Sequence, residues 1–119
     1  MMNASELVAI RNAVTAKWAQ EKEKKAKLLA GNSMEFCESV IAPLLEEKAC
    51  DPKGGVISVE LMLEIFTDDY DNVGVIYKDK RFSISGVEDY LKLFDYTVIV
   101  KFENRCYGPN YYKLIVKVA

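Results

Sequence analysis

Ser85-Gly86-Val87-Glu88-Asp89-Tyr90-Leu91-Lys92-Leu93-Phe94-Asp95 opens the stretch that decides the fold, and the stretch runs on to Val118. Ser85 and Glu88 have capping-box spacing: the hydroxyl can accept from the amide three residues on, and the carboxylate can reach back. Val87, Tyr90, Leu91 and Phe94 then share one face of a helix over 86–95. Thr97–Phe102 and Tyr111–Val118 follow as apolar, β-branched runs, with Gly108-Pro109-Asn110 as the turn of a hairpin. Alternation along the second run sets Tyr112, Leu114, Val116 and Val118 inward. It sets Tyr111, Lys113, Ile115 and Lys117 outward.

Immediately upstream, Val73–Tyr77 and Arg81–Ser85 read as a second hairpin turning at Lys78-Asp79-Lys80. Val56–Phe66 fits two descriptions. Ile57, Val59, Leu61, Leu63 and Ile65 alternate as in a strand. Ser58 can equally cap a helix, with Ile57 and Met62 as a hydrophobic staple. Leu, Met and Glu are good helix formers, so the helix is the favoured expectation for 58–66. Ser58 and Ser85 would then each open a helix followed by a hairpin, a faint duplication over 58–85 that converging cap chemistry also explains.

The N-terminal third predicts a helix over 6–30, capped by Ser5, with Leu7, Ile10, Val14 and Trp18 as its apolar stripe. Glu21–Lys25 and Glu23–Lys27 are favourable i,i+4 pairs, and Gly31-Asn32 closes the helix. At ~1.5 Å per residue it would reach roughly 37 Å, about the width of a compact chain of this size. It therefore either traverses the surface or projects its charged half. Ser33 would cap a second helix over 34–49, kinked or divided near Ser39–Ala42 by Pro43. Asp51-Pro52-Lys53-Gly54-Gly55 is a loop. The expected order is α-α-α-ββ-α-ββ. This is an α+β fold of one domain over 1–119, with the long helix 6–30 attached to an α+β body at 33–119.

Composition removes several chemistries. The 119 residues include no His. That excludes imidazole-activated nucleophiles and His-containing metal sites within the chain. Three cysteines without Cys-x-x-Cys spacing do not make a thiolate zinc site. Asp69-x-Asp71-x-x-Gly74 has the spacing that opens a calcium loop, but Val73 stands at the fifth position and Lys80 at the twelfth, where a bidentate Glu is needed. Glu60 and Glu64, a turn apart, read as solvated helix carboxylates. No catalytic residue, cofactor or metal is expected. No apolar run is long enough to span a bilayer, and no basic segment with a long apolar core opens the chain, so a cytoplasmic protein is expected.

Charge is segregated. Residues 1–32 carry six basic against three acidic side chains, residues 33–72 two against ten, and residues 73–119 eight against five. Two positive regions each offer an aromatic beside the charge: Trp18 with Lys24 and Lys25, and Tyr107 and Tyr111 with Arg105. These six residues are the expected partner-binding surface. The expectation is a small regulatory, protein-binding module without catalytic activity, a size and character that suit a phage or mobile-element accessory protein. Self-association through helix 6–30 is also open. The alternative is a nucleic-acid-binding module of winged-helix-like topology, with the hairpin from Thr97 as the wing. Its recognition helix would carry Glu88, Asp89 and Asp95 against Lys92 alone, a poor charge for a phosphate-lined groove.

Overall fold

Helix α1 runs unbroken from Ala4 to Phe36 in the computed structural model, which describes residues 1–118. A π-helical turn at Cys37–Ile41 leads into α2, Ala42–Ala49. Strands β1 (Ser58–Thr67), β2 (Val73–Tyr77) and β3 (Lys80–Phe82) follow, then α3 (Ile84–Lys92) and the hairpin β4 (Tyr96–Glu103) and β5 (Tyr111–Val118). The strands form one antiparallel sheet in the order β3-β2-β1-β5-β4. The fold is α+β, and the C-terminal hairpin lies where its sequence places it. No described helix is long and apolar enough to cross a membrane.

Residues 58–66 form a strand, not a helix, which also removes the apparent duplication. The alternation decides it. Val59 and Leu63 are buried on one face of β1, while Glu60 and Met62 are exposed on the other. The strand is central, with β5 pairing from Ser58↔Lys117 to Glu64↔Tyr111 and β2 from Glu64↔Ile76 to Thr67↔Val73. Ladders on both sides outweigh the modest helix propensities of Leu, Met and Glu. Lys78 and Asp79, both at positive φ, make the two-residue turn between β2 and β3, a conformation whose twist matches the strands it joins.

Gly31-Asn32 does not end α1. An interior glycine costs about 1 kcal/mol relative to alanine, but the residues around it are held by tertiary bonds. The Asn32 side-chain Nδ2 donates to the Arg81 carbonyl at 3.0 Å. The buried Ser33 hydroxyl accepts from the Ser83 amide at 3.0 Å, and the Leu29 and Ser83 carbonyls lie 2.9 and 2.8 Å from it. Ser33 is therefore not a cap. At the helix start Asn3, rather than Ser5, accepts from the Glu6 amide at 2.9 Å. For α3 the cap is Ser83, two residues before Ser85, with the Gly86 amide 3.3 Å from its hydroxyl. The disturbance expected near Pro43 is the π-turn, where the Ala42 amide bonds back to the Cys37 carbonyl. The extra residue in the turn relieves the clash of the Pro43 ring with the carbonyl four residues earlier.

The second half of α1, the π-turn, α2 and α3 pack on one face of the sheet and bury Phe36, Ile41, Leu45, Leu63, Val75, Phe82, Val87 and Leu114. Phe36 stacks on Phe82 at 4.0 Å and meets Tyr77 edge-on at 5.5 Å. Tyr90 donates to the Glu38 carboxylate across the seam between the π-turn and α3, and that bond raises the phenol's pKa. The helix segments make the molecule elongated, 77 × 34 × 22 Å.

Cys37 lies in this core, where burial, with Glu38 nearby, pushes its thiol up to about 12. Cys50 and Cys106 are exposed. A thiol reagent at neutral pH is therefore expected to label two cysteines per native chain at once and the third only on unfolding. Rapid labelling of all three would show that the π-turn does not hold Cys37 inside.

Candidate interaction surfaces

Two features stand out on the surface: a groove beside α1 and an overhanging helix with a neighbouring loop. The groove, about 410 Å³, runs between the second half of α1 and the β3 edge. Leu28, Leu29, Phe36 and Phe66 give its apolar lining. Three basic side chains, Lys25, Lys80 and Arg81, face three acidic ones, Glu35, Asp68 and Asp79, so it carries no net charge to draw an ion. The Asp68 carboxyl titrates below its ordinary range. Partial desolvation raises it, but the Asn72 and Tyr70 amides, the Asn72 side chain and Lys25 outweigh that and leave it lowered. A lowered carboxylate braced inside a turn is an anchor rather than a general base.

That turn fixes α1. The Asp68 carboxylate accepts from the Tyr70 and Asn72 amides at 2.8 and 2.9 Å, and the Asn72 side chain donates to the Lys22 carbonyl at 3.1 Å. Tyr70 lies 6.2 Å from Trp18, ring to ring, and Lys22 stands over the indole. Trp18, 39% exposed, meets the body at Tyr70, and every residue before it in α1 is exposed. The charged segment of α1 thus lies against the acidic β1–β2 turn, and the apolar segment before it stands clear. Leu7, Ile10 and Val14 are 53%, 48% and 60% exposed. At 3.6 residues per turn Trp18 lies five turns before Phe36 and Leu7 three turns before Trp18. The stripe is therefore the core-facing side of α1 continued beyond the end of the sheet.

The expected site residues fall into two groups. Lys24 pairs with Glu21 at 3.6 Å, and Glu23 with Lys27 at 3.1 Å. Lys25, expected to pair with Glu21, instead faces the Asp68 turn. The lysines beside Trp18 are thus partly answered by acids of the same chain. In the β4–β5 loop, Arg105 stacks on the Tyr111 ring at 4.5 Å, and Tyr107 is 93% exposed. Glu103, Tyr111 and Glu64 lie side by side across β4, β5 and β1. The Asn110 carbonyl accepts from the Ile65 amide at 2.9 Å, so loop and helix overhang share one end of the sheet.

Sequence reasoning missed Tyr70 and Asn72 as the clamp on α1. It also placed the free surface of α1 in its charged half. The shared phase of Leu7, Trp18, Leu29 and Phe36 was the available signal. No family model, curated protein or solved structure matches this chain.

Proposed function

We propose that the chain is a regulatory, protein-binding module of the cytoplasm that works without catalysis. The carrying observation is Tyr107, almost wholly in water at the tip of the β4–β5 loop, beside Arg105 stacked on Tyr111. A large aromatic held beside a cation has the chemistry of an interface anchor. Arg105 favours a partner whose surface is acidic around an apolar pocket. The charge-balanced groove, whose Asp68 carboxyl is held low inside a turn, supports a role without chemistry of its own.

The test is photo-cross-linking from position 107 in extract of the source cell, followed by kinetics with the captured protein. Tyr107→Ala with Tyr111→Ala is expected to speed dissociation about 30-fold or more while leaving association within about threefold. Unchanged dissociation would place binding elsewhere. A steep loss of affinity with salt, together with capture of RNA or DNA, would favour the nucleic-acid alternative.

A further inference from the structure

We infer that residues 4–18 of α1 pair antiparallel with the same residues of a second copy of this chain, Glu6 of each copy facing Lys17 of the other. The surface is distinct from the Tyr107 loop, and the inference stands whether or not that loop binds a partner.

From Ala4 to Trp18 the helix carries only Glu6, Arg11 and Lys17 as charges. Every residue of it is exposed. A helical segment that is apolar on most sides is normally covered.

The segment is complementary to its own reverse. With a two-fold axis near residue 12, Ile10 meets Val14 of the second copy, and Leu7 meets Trp18. Ala13, on the Glu6 side of the stripe, puts a small side chain beside the seam. Glu6 and Lys17 are eleven residues apart, three turns, and so lie on the same flank of the stripe. An antiparallel two-fold brings like flanks together, so each carboxylate meets an ammonium, twice per dimer. Arg11 lies on the other flank, with a stem long enough to keep its guanidinium in water. A parallel pair brings unlike flanks together, so Glu6 and Lys17 would face the Arg11 flank and both Glu6–Lys17 attractions would be lost. Its seam, continued at heptad spacing, would meet Lys17, Glu21 and Lys24 instead of apolar residues. The lengths also agree: each arm runs free as far as the Trp18–Tyr70 contact, so the other arm fills the ledge up to the body. The two bodies then lie at opposite ends.

The experiment is sedimentation equilibrium on the full chain across about 1–100 µM, with Cys37 protection confirming that each variant's body is folded. Wild type is expected to dimerise. Ile10→Asp with Val14→Asp is expected to be monomeric throughout, with Cys37 still protected because the arm stands outside the core. Glu6→Lys and Lys17→Glu should each weaken the dimer about tenfold, since one change turns two attractions into repulsions. The double variant should recover to within about threefold of wild type. A wild-type monomer at every concentration overturns the inference. So does a dimer indifferent to Ile10 and Val14, or one that the double charge exchange fails to restore.

Discussion

Phe36→Ala lowers the free energy of unfolding by about 3–5 kcal/mol. The ring is 1% exposed and lies between Phe82 and Tyr77. Its loss leaves a cavity between α1 and the sheet that neither aromatic can fill by a rotamer change alone. The stacked pair adds about 0.5–1.5 kcal/mol beyond area burial, so Phe82→Ala should be less costly in the Phe36→Ala background than in wild type. Urea denaturation of the two single variants and the double checks both the size and the coupling. Against a total of roughly 5–15 kcal/mol for a domain, the single change removes a large part of the stability. A loss below about 1 kcal/mol would mean that α1 does not pack on the sheet through Phe36.

Gly86→Ala is expected to destabilise by about 3 kcal/mol, although alanine is the better helix former by about 1 kcal/mol. A Cβ at Gly86 would stand 2.7 Å from the Ser33 hydroxyl and 2.9 Å from the Ser33 Cβ. The second of these atoms is fixed to a helix backbone and has no flexible end to swing away. Relief requires α3 to move off α1, an overpacking cost of about 1–3 kcal/mol. That movement also pulls the Ser83 amide from its Ser33 acceptor, and an orphaned buried group adds about 1–3 kcal/mol. Gly86→Ala with Ser33→Ala removes the hydroxyl from the clash and should regain part of the loss. Thermal melts of the single and double variants decide it. A Gly86→Ala variant more stable than wild type would mean that helix propensity outweighs the close approach.

These two sites show what the sequence could and could not supply. Local features were legible. The Gly108-Pro109-Asn110 turn, the inward setting of Leu114 and Val116 and the Lys78-Asp79 corner depend on neighbours a few residues away, although Val118, expected inward, is exposed at the end of β5. Features set by distant partners were not. Ser33 has the makings of a cap, and only the arrival of Ser83 turns it into a buried bridge. Ser85 stands at the spacing of a capping box, yet Ser83 takes the cap because its amide is already held by Ser33. Val56–Phe66 carried both periods, and the strands on either side chose between them. At the surface, an exposed Tyr107 followed from its loop. The position of Trp18, half against Tyr70 and half on the ledge, did not, because Tyr70 lies fifty-two positions away in the chain.

The strand order has a kinetic meaning. The sheet consists of two locally built pieces, β1-β2-β3 and β4-β5, each closed through turns of a few residues. They meet only along the β1–β5 ladder, which joins Ser58 to Lys117 and Glu64 to Tyr111, about fifty positions apart. Closing that loop costs chain entropy before any cross-strand contact rewards it, so joining the halves is the slow step of folding. Until it happens, β1 and β5 each present an open, apolar edge. Thr97–Phe102, with Lys101 as its one charge, is then half of a lone hairpin, a form only marginally stable in water. Aggregation during refolding should therefore follow the lifetime of the unjoined halves. Faster joining of β1 to β5 would suppress it more than any change to the surface of the finished molecule.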